Sequence, residues 1–260
     1  MNMLISTPAA PAVSRRTSLR CYWLEAKYEF LRLLRTPSFA LPALTFPVLF
    51  YLLFGVLLAG PRGGSGASTT LLVTYGVFGI MGPALFGFGV AMAMDRELGL
   101  LKLKRAMPVP PGAMLLAKTL MAMLFGLIIT AMLMGVALIL AGVQIAPGKL
   151  ALLALINVLG VLPFCAIGLY IGTLVGGQGA AAVVNLVYLP MAFLSGLWMP
   201  LSMLPDVVSR FAPLWPAYHL SQIALKVIDA DAGGSVSMHV ALLLVVTGVF
   251  FFLARRRLSA

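Results

Sequence analysis

The sequence predicts an all-α membrane protein that crosses the bilayer six times. Of its 260 residues, 62% are hydrophobic and only 10% are charged, whereas a soluble domain carries about 25% charged residues. The charges are also clustered, so that Arg62 is the only one between Thr36 and Met94. Because about 20 apolar residues are enough to cross a hydrocarbon core of about 30 Å, these uncharged stretches hold several spanning helices.

The chain begins with two segments that precede the first span. Residues 1–17 are rich in Pro, Ala and Ser and are expected to be a disordered tail. Residues 18–37 carry Trp23, Ala26 and Phe30 at three- and four-residue steps with basic residues between them. This spacing predicts an amphipathic helix that lies in the membrane interface and ends at Pro37.

The transmembrane domain is predicted at 38–254 and is followed by a basic cytoplasmic tail at 255–260. Pro42 and Pro47 are expected to bend the first span, and glycines up to Gly82-Pro83 to make the second irregular. Between spans five and six, residues 200–236 predict two short re-entrant outer helices, one starting at Pro205 and one at about 217–229. The spans themselves are predicted at 38–59, 70–93, 113–141, 149–175, 180–199 and 237–254.

The distribution of basic residues predicts the orientation. With the N-terminus inside, the inner segments hold 13 Lys and Arg residues and the outer segments hold four. Cytoplasmic segments carry such an excess, so both termini are expected in the cytoplasm. The membrane is expected to be a bacterial plasma (inner) membrane. Lys118 is expected near the inner end of span three, close to the surface.

Composition also excludes several functions. The net charge of +11 comes from basic residues that flank the spans, so we expect contact with membrane lipid and none with nucleic acid. Cys21 and Cys165 are not expected to form a disulfide. His219 and His239 stand isolated in the sequence, which predicts no metal cluster.

The spans lack the groups that an energy-coupled carrier or an enzyme would use. All seven carboxylates lie outside the predicted spans, whereas an ion-driven carrier usually needs an ionisable group near the bilayer centre. No span combines a nucleophile with a base, so no catalytic residues are predicted. The phosphate-binding pattern G-x-x-x-x-G-K-[ST] is missing as well, so the chain is expected to bind no cofactor itself.

Spans four and five carry small and polar residues of two kinds. Glycines spaced by four predict a ridge that another helix can approach closely, at Gly168, Gly172 and Gly176. The polar side chains either make helix–helix hydrogen bonds or contact a substrate, and the sequence leaves both readings open. They are Asn157, Thr173, Asn185 and Tyr188.

A charged insert, MDRELGLLKLKRAMPVPPG at 94–112, separates spans two and three. Taken as one helix over 95–107, it places Leu100, Leu103 and Met107 on one face. Asp95 and Lys102 then lie on the opposite side. Such a helix either rests on lipid headgroups or docks into a groove on a cytoplasmic partner.

The insert and its continuation, DRELGLLKLKRAMPVPPGAMLLAK, resemble the loop between the second and third spans of permeases of the type-2 ATP-binding-cassette (ABC) exporter family. The residues that match are Asp95, Arg96, Glu97, Gly99, Leu103 and Pro108. A second stretch, LSGLWMPLSMLPDVVSRFAPLWPAYHL at 194–220, is similar to that family's fifth span and its re-entrant outer helices.

The resemblance implies the transmembrane subunit of an ATP-driven exporter of drugs, antibiotics, lipids or glycans. A second, identical chain would pair with it through spans one and five. A separate ATPase subunit would bind ATP and Mg²⁺ and dock onto the insert as a coupling helix. The implied coupling residues are Asp95, Arg96, Glu97, Gly99, Leu100, Leu103, Met107 and Pro108. An ion-gradient transporter and a non-transporting membrane scaffold are the alternatives.

Overall fold

The fold is helical throughout the residues that the structure describes. The computed structural model covers residues 15–107 and 112–259, without the side chains of 15–19, 60–65, 104–105 and 259. Within these ranges the α-helices are α1 (Arg15–Leu34), α2 (Pro37–Phe50), α3 (Gly60–Leu85), α4 (Ala91–Glu97), α5 (Leu100–Ala106), α6 (Ala113–Ile139), α7 (Pro147–Leu174), α8 (Gly177–Leu194), α9 (Asp206–Phe211), α10 (Pro216–Lys226) and α11 (Val236–Ser259).

Six of the described helical segments are long and apolar enough to cross a membrane, which confirms the all-α, six-span prediction. Span two is longer than predicted and continues to Glu97. Asp95 therefore belongs to the last turn of a span and not to a separate loop. In order, the spans are Pro37–Leu58, Gly66–Glu97, Ala113–Ile139, Pro147–Leu174, Gly177–Leu194 and Val236–Leu258.

Span two is the central helix of the bundle, and most of its residues are buried. Glycine allows its neighbours to approach: a Cβ on Gly79 would lie 2.5 Å from Cγ2 of Ile129 and 3.2 Å from the ring of Pro47. The predicted irregularity is a π-helical segment, Phe86–Val90, that follows Pro83. Proline removes a backbone N–H and crowds the preceding turn, which loosens the helix there.

Span one has a π-helical second half, Tyr51–Leu58, that its sequence did not predict. In spans one, five and six only a small part of the residues is buried, and the rest are exposed or half-buried. In a membrane protein such faces meet lipid or another protein. The exposed side of the bundle is therefore formed mainly by these three spans.

The N-terminal helix α1 packs against span three through part of the predicted apolar face, Ala26 and Phe30, and not through Trp23. Ala26, Glu29 and Leu33 are buried, whereas Trp23 is 69% exposed. The ring of Phe30 lies 5.2 Å from that of Phe125 in span three. The buried stripe includes a carboxylate because span three offers it a cation. The part of the predicted tail before residue 15 lies outside the described residues.

The insert is not one helix over 95–107. The chain leaves α4 after Glu97, takes a left-handed conformation at Gly99 (φ 73°), and starts α5 at Leu100. Only glycine adopts such a φ without steric penalty, so the glycine divides the segment into two helices. The faces predicted for a continuous helix therefore do not apply to Asp95 and Glu97.

Two short helices occur in the segment between spans five and six, near the predicted positions. The residues of α9 are exposed or half-buried. The second helix, α10, is largely buried and packs against spans two, four and six. Leu220 of α10 lies over Gly160 of span four, where a Cβ would come within 2.5 Å of the leucine side chain. This helix is therefore an integral part of the bundle.

Candidate functional site

A cluster of four charged side chains, three of them buried, lies where α1, the end of span two and the start of span three meet. The Nζ atom of Lys118 contacts the Glu29 carboxylate and lies 2.9 Å from Oδ2 of Asp95. Arg32 completes the cluster, with its Nη1 atom 3.0 Å from Oδ1 of Asp95 and 3.6 Å from Oε2 of Glu29. We call these four residues the ion cluster.

Lys118 lies in the second turn of span three, near the end of the span where it was predicted, and it belongs to the ion cluster. Its side chain is fully buried, and Glu29 and Asp95 are buried as well. An isolated buried charge is very unfavourable, but two carboxylates and two cations compensate each other here. A lone lysine five residues inside an apolar helix was the sequence signal that a carboxylate partner must lie nearby.

Arg96 binds the end of span four. Its Nη1 atom donates to the carbonyl oxygens of Gly172 (3.1 Å) and Thr173, and its Nη2 atom donates to that of Val175 (3.2 Å). The last carbonyls of a helix have no intrahelical partner and carry partial negative charge. The guanidinium therefore caps α7.

Glu97 binds the start of span five. Its carboxylate accepts a hydrogen bond from the backbone N–H of Gly177, the first residue of α8. A carboxylate at a helix N-terminus satisfies a free N–H group and is favoured by the helix dipole. Asp95, Arg96 and Glu97 thus hold α1 and spans three, four and five to the end of span two, and we call these three residues the clamp.

The apolar side chains of the insert face the opposite way, into open space. Leu98 is 69% exposed and Leu103 is 58% exposed, and Met107 is exposed as well. Leu100 is half-buried. Pro108 lies outside the described residues, so its predicted role in the turn stays a prediction.

The three predicted packing glycines lie in different surroundings. A Cβ on Gly168 would lie 3.0 Å from the carbonyl oxygen of Leu85, and one on Gly172 would lie 2.6 Å from that of Gly89. Both glycines thus face the π-helical segment of span two. Gly176 lies beyond the end of α7, where a Cβ would be 3.3 Å from Oε2 of Glu97.

The four predicted polar residues also divide. Asn157 donates from Nδ2 to Oγ1 of Thr130 in span three (3.1 Å), which is a helix–helix hydrogen bond. Thr173 donates to the carbonyl of Tyr170 in its own helix (2.7 Å). Asn185 and Tyr188 instead line a cavity.

This cavity has a volume of about 440 Å³ and lies between spans one, two and five. Its wall is strongly aromatic. The rings of Phe50 and Trp198 are stacked with their centroids 6.0 Å apart, and those of Phe78 and Tyr188 are stacked at 5.3 Å. Apolar, aromatic cavities with few polar groups are typical of small-molecule sites. The amide of Asn185 is one of those few polar groups.

The two histidines are not isolated, contrary to the prediction. Nδ1 of His219 in α10 lies 2.8 Å from Nδ1 of His239 in span six. Helix packing brings together residues that are 20 positions apart in the chain. Among the described residues no group of three or more potential metal ligands is found.

The six spans and the clamped insert define an integral membrane protein built as one helical bundle. The profile of the ABC-2 type transporter family matches residues 20–228. That range is most of the chain, so the protein belongs to the ABC-2 type transporter family and is a transmembrane subunit of an ABC transporter. The resemblance seen in the insert is thereby confirmed.

Two curated relatives support this assignment. The chain is 26% identical over 226 residues to "Putative transport permease YvfS" of Bacillus subtilis (strain 168), which covers 86% of this chain and 91% of that protein. It is 34% identical over 65 residues to "Nodulation protein J" of Sinorhizobium fredii (strain NBRC 101917 / NGR234), which covers 25% of each. The first relative thus matches most of the length of both chains.

Proposed function

We propose that this chain is the permease subunit of an ATP-driven exporter in a bacterial inner membrane. A separate ATPase subunit binds ATP and Mg²⁺ and supplies the energy, so the chain is not itself an enzyme. Membership of the family supports this division of labour, as does the lack of a phosphate-binding motif in the sequence. The positive-inside bias places both termini and the insert in the cytoplasm, where the ATPase would dock.

The observation that carries the proposal is the two-sided build of the insert. Its outer side exposes Leu98 and Leu103, an apolar ridge that fits a groove on the ATPase. Its inner side is the clamp, whose hydrogen bonds and ion pairs reach α1 and spans three, four and five. A push on α5 is therefore transmitted to four elements at once, because packed helices move as rigid bodies.

This arrangement divides the predicted coupling residues into two groups. Leu103 and Met107, with Leu100 beside them, contact the ATPase, and Gly99 provides the turn between the two helices. Asp95, Arg96 and Glu97 transmit the motion from inside the bundle. Glu97→Arg would remove the hydrogen bond to the backbone N–H of Gly177 and disturb the turn between spans four and five. A loss of transport in that variant would therefore not report on docking of the ATPase.

The cavity between spans one, two and five is the proposed cargo pathway. Its position supports pairing with a second copy through spans one and five, which would close it. Asn185 and Tyr188 then contact the cargo, and α9 and α10 form the re-entrant outer segment. Aromatic walls favour an apolar or planar cargo, such as a drug, an antibiotic or a lipid, over a highly charged polymer.

The docking test is Leu103→Asp in the complex with the partner ATPase subunit. A charge on the ridge must be desolvated in the groove, so we expect loss of ATP-dependent transport in inverted membrane vesicles. The amount of inserted permease should not change, because Leu103 is exposed in the free chain. Lys102→Asp, a charge change at the exposed neighbouring position, is the matched control and should retain transport.

Two outcomes would count against the proposal. Normal ATP-driven transport by Leu103→Asp would remove the docking assignment. Transport that persists without ATP but follows an ion gradient would favour the carrier alternative.

A further inference from the structure

The His219–His239 pair is buried and joins α10 to span six. His219 is 5% exposed and His239 is 4% exposed. Their Nδ1 atoms are 2.8 Å apart, and Nε2 of His219 lies 2.8 Å from the carbonyl oxygen of Pro213. The two rings thus form a chain of polar contacts from the segment before α10 into the first turns of span six.

The partners of each nitrogen determine the tautomers of the neutral pair. A carbonyl oxygen only accepts, so Nε2 of His219 must carry a hydrogen, and its Nδ1 atom is then a bare acceptor. Nδ1 of His239 must therefore be the donor between the rings. This leaves Nε2 of His239 as a bare, buried acceptor, and it has no hydrogen-bond partner among the described residues.

The tautomers determine how many protons the pair can hold. A first proton goes to the free Nε2 atom of His239, and the N–H···N bond between the rings survives, now assisted by charge. A second proton would have to bind Nδ1 of His219. It would place two N–H groups and two positive charges against each other at 2.8 Å, so the bond between the rings would break.

The other titratable groups around the pair are paired or remain neutral. Tyr218 packs against both rings, and the pKa of its hydroxyl is raised by burial and by the nearby Asp231 carboxylate. Asp231 itself is paired with Lys226, at 3.5 Å. The same lysine donates to the carbonyl oxygen of Gly234. The Cα side of Gly234 faces His239, since a Cβ there would lie 3.1 Å from Nε2 of that ring.

Among the described side chains of spans two and four, which pack against α10, the titratable groups are paired or neutral. On span two, Tyr75 donates to the carbonyl of Trp198, and the charged clamp residues bind the ion cluster and the turn between spans four and five. On span four, Lys149 pairs with Asp229 at 3.1 Å, Tyr170 packs on Phe250, and the thiol of Cys165 is uncharged when buried.

We propose that His219 and His239 form a proton-binding site. The pair holds one proton in addition to those of its neutral form, and binding of a second additional proton releases α10 from span six. In the proposed topology α10 lies on the outer side, so the site would respond to the pH outside the cell. Burial and the neighbouring His239 lower the pKa of His219, although its bond to Pro213 opposes this.

The sign of the pH effect follows from this lowered pKa. The contact is intact above the unfolded-state value of about 6.5 and is lost as the pH falls below it. For each unit by which the pKa of His219 in the folded chain lies below about 6.5, the packing of α10 on span six becomes about tenfold less favoured at low pH.

The test is hydrogen exchange of the α10 amides in the purified full-length chain in lipid nanodiscs. Rates are corrected for the intrinsic effect of pH and compared at pH 8 and pH 5. We expect the protection of residues 217–226 to fall on acidification, because the released state binds protons more readily than the packed pair. The amides of span three serve as the internal reference and should keep their protection. Unchanged protection in α10 would overturn the proposal.

His239→Asn is the decisive variant. The Asn amide can donate from Nδ2 to Nδ1 of neutral His219, and after a flip it can accept at Oδ1 from Nδ1 of protonated His219, so the contact survives in either protonation state of His219. Protection should then be high at both pH values, and the same acid-induced loss as in the wild type would contradict the proposal. A nitrogen NMR spectrum of the unmodified chain at pH 8 tests it without mutation: His219 must be protonated at Nε2 and His239 at Nδ1, and the opposite tautomers would refute the scheme.

Discussion

The ion cluster makes a strong prediction for Lys118→Met, which keeps the length of the side chain and removes its charge. Lys118 is fully buried and contacts the carboxylates of both Glu29 and Asp95. In the variant two buried carboxylates would share the single guanidinium of Arg32, whose side chain is 42% exposed. One buried negative charge would then have no partner.

Removing one member of a buried ion pair typically costs about 3–5 kcal/mol, because it leaves an uncompensated charge in a poorly polarisable environment. We expect a loss near the lower end, about 3 kcal/mol, because Arg32 remains beside both carboxylates. The free energy of unfolding can be measured by titration of the micelle-bound chain with SDS, followed by circular dichroism.

Two further variants make this measurement decisive. Glu29→Gln combined with Lys118→Met restores the balance of charge and should recover a clear part of the loss, since contacting residues are not additive. Lys149→Met removes an exposed lysine paired with the exposed Asp229, and surface pairs of this kind contribute about 0–1 kcal/mol. If Lys118→Met were as stable as Lys149→Met, the ion cluster would not be a buried, interdependent unit.

Two other predictions concern the helix contact and the cavity. Gly172→Leu should lower the thermal unfolding temperature in detergent, because its Cβ would lie 2.6 Å from the carbonyl oxygen of Gly89. Gly135→Leu is the control and should not lower it, since a Cβ at Gly135 meets nothing within 4 Å. Equal unfolding temperatures of the two variants would argue against the contact. Tyr188→Ala removes a ring stacked on Phe78, and since such contacts contribute about 0.5–1.5 kcal/mol, the cargo concentration for half-maximal ATPase stimulation should rise about two- to tenfold. Tyr170→Ala, at the distant Phe250 contact, is the control, and no difference between the two tyrosine variants would remove Tyr188 from the pathway.

The number and type of the spans could be predicted because they depend on local composition. Runs such as 113–139 are long and apolar enough to span the bilayer wherever they occur. The resemblance of the insert could likewise be read along the chain, from Asp95 to Pro108. The break at Gly99 was visible as a glycine, but the helical spacing of the leucines around it favoured one continuous helix.

The orientation of side chains around each helix could not be predicted in the same way. Trp23 was placed on the same apolar face of α1 as Ala26, yet Ala26 and Glu29 are buried whereas Trp23 is exposed. A hydrophobic stripe indicates a buried side only when the surroundings are water. Here lipid accepts Trp23 on the outside, while span three accepts a carboxylate on the inside because it carries Lys118.

The sequence by itself determined the class of protein and its spans, because hydrophobic length and charge are properties of neighbouring residues. Only the tertiary structure decided which charges and rings meet. Glu29 and Lys118 are 89 positions apart, and His219 meets His239 across two helices. Such pairs depend on the rotation and crossing of packed helices, which small residues such as Gly79 and Gly172 allow.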